Sequence, residues 1–227
     1  MSKIKIKLRI PYFKQRKITC GPSSLQQVLT YYGKKITLDE ILKEVKMFKY
    51  GTWTSYLGIY AIKHGFNAKR IYYDVNYIDP SWFKLSRDRL IRKLQVALKK
   101  EKSKIRKDGI ISLLDYLKTN GKIIFQIPSK KLLIDYLRRK IPIIMCLSST
   151  ILYKRRRFDL KKDKRSEYGK PVGHFVVIGG YKNGNFIIND PHARYGGVYE
   201  VSEDKLIFAW LFWGGDSLII EPKFKIS

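Results

Sequence analysis

The stretch KQRKITCGPSSLQQVLTYYG, residues 14–33, places a cysteine where a helix is expected to begin. Cys20 stands directly before Gly-Pro, and apolar residues then recur at helical spacing as far as Gly33. Proline is favoured in the first turn of a helix, and glycine is favoured just past its end. The pattern predicts a helix that begins near Cys20 and ends at Gly33, with Thr19 as its N-cap.

A cysteine at this position has both a chemical and a structural interpretation. The N-terminus of a helix carries a partial positive charge that lowers the pKa of a nearby thiol, and the thiolate is the nucleophile. Taken alone, however, Cys20 is more often explained as a small apolar side chain in a first turn. The second cysteine, Cys146, lies in the apolar run IPIIMCL and is predicted to be part of the core. Two cysteines do not make a disulfide framework.

A nucleophilic thiol needs a base, and His174 is a candidate because it heads the apolar strand GHFVVIGGY. Asp190 ends the strand that follows. A three-residue hairpin loop at 182–184 would place Val176 opposite Asp190, so that His174 and Asp190 share a face. A two-residue Asn-Gly loop would shift the register by one residue and bring Asn189 to that face instead. Either residue can orient an imidazole, and Asp190 is the preferred candidate.

Three further polar residues were weighed for a place in the same site. Gln15, five positions before Cys20, is a candidate donor to an oxyanion, although a polar loop residue without a role is the alternative. His64 stands before a glycine at a helix end and is predicted to be a C-terminal cap or exposed. His192 follows Asp-Pro in a loop and is predicted to lie at the surface, with the rim of the site as the second interpretation.

The order of the elements predicts an α+β fold. Helical patterns dominate the N-terminal half, and short strands dominate the C-terminal half, with one helix at 203–212 among them. The length favours a single domain over residues 1–227. Within it, residues 76–127 are predicted to form a basic helical insertion, with one helix at 81–107 and another at 109–119.

The charge balance suggests an anionic partner. The chain has 47 Lys and Arg residues against 19 Asp and Glu residues, a net charge of +28. The positive charge gathers at 87–107 and 154–165, which could bind an acidic polypeptide or nucleic acid. Solvated surface is the more common explanation, since no nucleic-acid motif accompanies these stretches. No apolar run is long enough to span a bilayer, and the N-terminus lacks the pattern of a signal peptide, so cytoplasmic residence is expected.

Three segments together resemble a known family: PYFKQRKITCGPSSLQQVLTYYG, GHFVVIGGY and FIINDP. They are similar to the papain-like cysteine peptidases that cut bacteriocin precursors after a double-glycine leader. The resemblance covers about residues 10–65 and 128–221, and the order Gln, Cys, His, Asp is that of the family.

The resemblance implies a papain-like fold and a role for each of four residues. Cys20 would be the nucleophile, His174 the general base and then acid, and Asp190 the orienting residue. Gln15 and the backbone N–H of Cys20 would form the oxyanion hole. The expected substrate is a peptide or protein, and no metal or organic cofactor is implied.

Other functions remain open at this stage. The chain lacks transmembrane segments and the phosphate-binding pattern GxxxxGK[ST], so any leader-peptidase role is expected to be free-standing. Papain-like sites also support acyl transfer to acceptors other than water. The two basic stretches keep a nucleic-acid or anionic-surface binding protein as the alternative from a different class.

Overall fold

A computed structural model describes residues 4–159 and 161–223. Within these residues, eight strands form one mixed sheet in the order β3-β2-β10-β4-β7-β8-β9, and β1 also pairs with β7. All neighbouring strands are antiparallel except β2 and β3, which are parallel. The sheet strands are Lys5–Lys7 (β1), Phe66–Ile71 (β2), Lys122–Ile124 (β3), Ile143–Ser148 (β4), Gly173–Lys182 (β7), Asn185–Asp190 (β8), Gly197–Ser202 (β9) and Ser217–Pro222 (β10).

The remaining elements are helices and one small hairpin. The hairpin pairs Phe158–Asp159 (β5) with Lys164–Arg165 (β6). Among the described residues the α-helices are Cys20–Tyr31 (α1), Leu38–Glu44 (α2), Thr54–Lys63 (α3), Arg87–Lys100 (α4), Lys104–Lys118 (α5), Lys130–Arg138 (α6), Ser149–Leu152 (α7) and Glu203–Leu211 (α8), with a 3-10 turn at Pro80–Trp82.

The sheet separates two apolar cores, which is why its central strands are apolar on both faces. On β7, Val176 and Ile178 pack into a core with α6 and α8. Phe175 and Val177 face the opposite side and pack into a core with α1 and α3. Alternating side chains of one strand therefore serve both layers. The α+β class predicted from the order of elements is confirmed, and Cys146 is buried in β4 as expected.

Residues 76–127 form their own apolar core against the edge of the sheet. The single helix predicted at 81–107 is wrong, because the chain breaks between α4 and α5. Glu101 adopts an extended conformation there, and its carboxylate accepts hydrogen bonds from the backbone N–H groups of Lys102 (2.9 Å) and Ser103 (2.8 Å). Those N–H groups thus bond to a side chain instead of continuing a helix. That this region is an insertion stays a prediction.

Two sequence signals for helix ends are also found in the structure. Thr37 and Glu40 form the reciprocal bonds of a capping box at the start of α2. Gly33 follows the end of α1 with φ of +84°, the left-handed region that favours glycine. Across residues 4–159 and 161–223, none of the helices combines the length and the apolar character that crossing a membrane requires.

Candidate active site

Cys20 is the first residue of α1 and follows a tight turn. Thr19 occupies the N-cap position, but its hydroxyl makes no capping bond. Instead it accepts a hydrogen bond from the backbone N–H of Arg16 (3.0 Å). Ile18 has φ of +51°, an unfavourable conformation for a β-branched residue, so the turn stores strain next to Cys20.

His174 and Asp190 are hydrogen-bonded to each other, through Nε2 and Oδ1 at 2.8 Å. Both side chains are buried, with 4% of His174 and none of Asp190 exposed. Asn189, the alternative, donates its amide to the carbonyl of Ile10 (3.2 Å) on the other face. The residue that contacts the imidazole is therefore Asp190.

The three-residue loop expected in this hairpin is wrong. Lys182 pairs with Asn185, which leaves the two-residue turn Asn183-Gly184 with positive φ at both positions. That register alone would turn Asn189 toward the face of His174. A bulge between Ile178 and Gly180 shifts the pairing by one residue, so that Val177 pairs with Asn189. The bulge thus brings Asp190 to the imidazole despite the short turn.

The carboxylate of Asp190 is fixed by donors on both oxygens. Oδ1 also accepts the backbone N–H of His192 at 2.9 Å. Oδ2 accepts the hydroxyls of Tyr153 and Tyr199, each at 2.6 Å. Burial alone would raise the pKa of Asp190, but the hydrogen bond and charge of His174 and the two hydroxyls lower it below its usual value. Asp190 is therefore held as an anion.

Sequence reasoning missed both tyrosines. Tyr199 pairs with Ile188 in the β8–β9 ladder, two positions from Asp190, so alternation along β9 could have placed it on the same face. Tyr153 follows α7 and meets Asp190 through tertiary packing, for which the local sequence gives no signal.

The thiol of Cys20 and the imidazole of His174 are electrostatically coupled. Burial raises the pKa of Cys20, but the hydrogen bond and charge of His174 and backbone hydrogen bonds from Phe175 and Gly21 outweigh it and lower the pKa. Burial lowers the pKa of His174, yet its hydrogen bonds to Asp190 and Cys20 raise it to about 9. Each shift favours the charged partner, so the arrangement favours a thiolate–imidazolium pair.

Gln15 lies beside this group through its backbone. Its N–H donates to the carbonyl of Pro191 (2.7 Å), directly after Asp190. Its side-chain Oε1 is buried and has no hydrogen-bond partner among the described residues. A buried amide atom without a partner is costly, and a bound ligand would remove that cost.

His192 lies beside the imidazole of His174, so the rim of the site describes it better than a free surface position. Their ring centroids are 5.7 Å apart. Burial first, and the charge of His174 second, lower the pKa of His192 to about 4, so it is neutral at physiological pH. Its Nδ1 accepts the backbone N–H groups of Arg194 and Tyr195, each at 3.1 Å. His64, by contrast, caps α3 and pairs with Glu44 at 2.9 Å.

A tryptophan covers the start of β7. Trp213 lies against Gly173, where a Cβ atom would be 2.6 Å from the indole ring. Only glycine therefore lets the indole approach the backbone directly before His174. Within the described parts of the chain, His, Cys, Asp and Glu side chains form no group of three or more that could hold a metal ion.

Solved structures with the same fold are peptidase domains. One is a double-glycine motif protease from an AMS/PCAT transporter, in complex with its leader peptide (18% identity, 98% of this chain and 100% of that chain, TM-score 0.50). Another is the peptidase domain of Streptococcus ComA, a bifunctional ABC transporter (17% identity, 95% and 100%, TM-score 0.52). A third is a C39-like peptidase from Bacillus anthracis (15% identity, 98% and 100%, TM-score 0.51). At these identities the likeness establishes the fold.

Sequence comparison gives the family. No curated protein matches the chain. A sequence model of the family described as guanylylate cyclase matches residues 10–220, which include Gln15, Cys20, His174 and Asp190. The chain thus belongs to the guanylylate cyclase family and has the papain-like α+β fold of the double-glycine peptidase domains.

Proposed function

We propose that this protein is a cysteine peptidase that cleaves peptide bonds through a thioester acyl-enzyme. The observation that carries the proposal is the arrangement of Cys20, His174 and Asp190. The thiol lies at the N-terminus of α1, its pKa is lowered by His174, and His174 is bonded to a buried carboxylate. A structural cysteine needs none of these features.

The three residues suffice for a balanced reaction. The thiolate of Cys20 attacks the carbonyl carbon of the scissile bond, and His174, as imidazolium, gives its proton to the leaving amine. Neutral His174 then takes a proton from water, which attacks the thioester. The carboxylate product leaves and the thiolate of Cys20 is restored. Asp190 holds the imidazole in place and stabilises its charged form.

The oxyanion of each tetrahedral intermediate also needs donors. We assign this role to the backbone N–H of Cys20 and the side-chain amide of Gln15. The support is that Gln15 is tied to Pro191 beside the site and carries a buried amide atom without a partner in the described residues.

A peptide precursor is the substrate class that the fold suggests. The transporter protease with this fold was crystallised with its leader peptide. We extend this to the present chain as a proposal: the substrate is a peptide or protein, and a double-glycine precursor is one candidate within that class.

The experiment is a comparison of wild type with Cys20→Ala on mixed peptide libraries, with products identified by mass spectrometry. Wild type should generate new termini and Cys20→Ala should not; equal processing by both proteins would contradict a peptidase. Adding a primary amine distinguishes hydrolysis from acyl transfer, because a transferase would yield amide products at the cleaved carbonyl.

The family match supports a second candidate, cyclisation of GTP. In that reaction the ribose 3′-oxygen attacks the α-phosphorus and pyrophosphate leaves. Incubation with magnesium–GTP followed by mass spectrometry tests for cyclic GMP. Cyclic GMP formed equally by wild type and Cys20→Ala would place cyclase activity outside the thiol site, whereas no cyclic GMP would remove this candidate.

A further inference from the structure

Two arginines lie at the rim of the candidate active site. Cζ of Arg155 is 4.3 Å from the centroid of the Tyr195 ring. That ring is 5.0 Å from His192, which is in turn 5.7 Å from His174. Tyr195 is 37% exposed, so this row of contacts runs from His174 outward to solvent.

Arg165 comes from the β5–β6 hairpin and faces the same region. Its Nη1 donates to the carbonyl of Arg156 at 3.0 Å. Burial and the positive charge of Arg155 lower the pKa of Arg165, and both arginines also lower that of His192. The two guanidinium groups are therefore close enough to repel each other and to act on His192.

Neither arginine is neutralised within the described chain. Across residues 4–159 and 161–223, Arg155 and Arg165 form no ion pair, and Nη1 of Arg155 is buried without a hydrogen-bond partner. Arg156, on the same hairpin, pairs with Glu167 at 3.5 Å. The nearby carboxylate is thus used elsewhere.

A comparison within the molecule shows what a satisfied buried arginine looks like here. Arg70 makes a bidentate pair with Asp216 at 2.7 and 2.8 Å, and its third nitrogen donates to Ser55 at 2.7 Å. Arg155 keeps the stacked position and the buried nitrogen but lacks the carboxylate. A planar guanidinium is suited to a bidentate bond with a carboxylate, and an anion between two arginines relieves their repulsion.

We propose that Arg155 and Arg165 form a subsite for an acidic side chain of the peptide substrate, beside His192 and Tyr195. This rests on the proposed peptidase function and adds a specificity to it. The acidic residue would lie on the His174 side of the nucleophile, and it would supply the carboxylate that the described chain does not. The basic hairpin would then select acidic peptides rather than serve only as soluble surface.

Reactive peptides test this without requiring turnover. N-iodoacetyl tripeptide amides carry one glutamate among alanines at each position in turn, and a matched set carries glutamine. Their rates of alkylation of Cys20 are measured by mass spectrometry in a Cys146→Ala background at low salt. At least one glutamate reagent should react about tenfold faster than its glutamine partner, since a charged contact at a half-buried site has about that effect.

The variants decide which residues cause the preference. It should fall toward unity in Arg155→Gln/Arg165→Gln and remain in Lys161→Gln/Lys162→Gln, which removes the same charge from exposed positions of the same hairpin. If the double variant does not fold, Arg165→Gln alone should show a partial loss. No preference in wild type, a preference that survives the double variant, or an equal loss in the lysine variant would each overturn the proposal.

Two further measurements separate this proposal from the others. Plain iodoacetamide reports on the pairing of Cys20 with His174, so an ordinary thiol would contradict the peptidase independently of any acidic preference. Magnesium–GTP is also added during alkylation. Protection of Cys20 by GTP that is lost in the double arginine variant, without any preference for glutamate, would assign the arginines to phosphate and overturn the carboxylate subsite.

Discussion

The carboxylate of Asp190 divides its two oxygens between two sets of donors. Oδ1 faces His174 and the backbone of His192, and Oδ2 faces Tyr153 and Tyr199. Rotation of the carboxylate would break bonds on both sides at once. The position of the imidazole relative to Cys20 is therefore fixed by residues that themselves do not touch the thiol.

Replacing His174 with alanine should remove the activation of Cys20. His174 lowers the pKa of the thiol, while burial raises it, so the variant should have a Cys20 pKa above its ordinary value. Each unit of increase lowers the thiolate fraction about tenfold at a given pH below both pKa values. The rate of iodoacetamide alkylation against pH measures this.

In wild type, alkylation should stay fast well below the pKa of a free thiol, about 8.5. It should change again near pH 9, where His174 loses its proton. Cys146→Ala in both proteins confines the reaction to Cys20. Identical profiles for wild type and His174→Ala would mean that the pair does not form.

The two tyrosines should act as positioning residues. Tyr153→Phe/Tyr199→Phe removes both donors to Oδ2, which should raise the pKa of Asp190 because those hydroxyls help to lower it. The stabilisation of imidazolium should then be lost at a higher pH as the solution is acidified. The acid limb of the alkylation profile should move upward, with about a tenfold slower reaction near neutral pH.

A matched control uses a tyrosine of the same kind elsewhere. Tyr181 donates its hydroxyl to Glu203 at 2.7 Å. Tyr181→Phe should leave the acid limb unchanged. A shift of the same size in that variant would point to general destabilisation rather than to the position of Asp190.

At the scale of elements, the start of β7 and the end of α8 meet through Gly173 and Trp213. A Cβ on residue 173 would lie 2.6 Å from Cζ2 of the indole, well inside contact distance. Because the same strand carries His174 in its next position, this contact couples the packing of α8 to the candidate active site.

Gly173→Ala should lower the free energy of unfolding by about 1–3 kcal/mol, the usual cost of overpacking. Urea denaturation measures this in wild type and in a Trp213→Ala background. The cost should be smaller in that background, since the clashing ring is gone. An equal cost in both would show that the backbone at residue 173, and not Trp213, requires glycine.

At the scale of the whole molecule, one buried ion pair links elements that are distant in sequence. Arg70 of β2 is paired with Asp216, next to β10. Ser55 of α3 accepts from Arg70, and Thr54 donates to Asp216 at 2.5 Å. The pair thus holds helix α3 against two neighbouring strands.

Asp216→Ala should destabilise the protein by about 3–5 kcal/mol, because it leaves the guanidinium of Arg70 buried without a counter-charge. Arg70→Met/Asp216→Ala should cost less than Asp216→Ala alone, since no buried charge remains. Urea denaturation compares them, with Asp135→Asn as an exposed ion-pair control that should change little. A double variant less stable than Asp216→Ala would contradict this account.

Local patterns in the sequence predicted the elements and their class. The helix that begins at Cys20, the capping box at Thr37 and the paired strands around His174 and Asp190 all have signals within a few residues. Those signals come from backbone preferences and side-chain periodicity, which depend on near neighbours. The family resemblance added the four candidate residues, whose catalytic roles stay predictions.

Only the tertiary structure decided between Asp190 and Asn189. The turn is short, as Asn-Gly allows, and a bulge near Gly179 restores the register that a longer loop would have given. The packing of Tyr153 on Asp190 and of Arg155 on Tyr195 also joins residues that are 37 and 40 positions apart in the sequence. Such contacts depend on how the strands and helices are arranged in space, because no local pattern specifies which distant side chain will fill a given position.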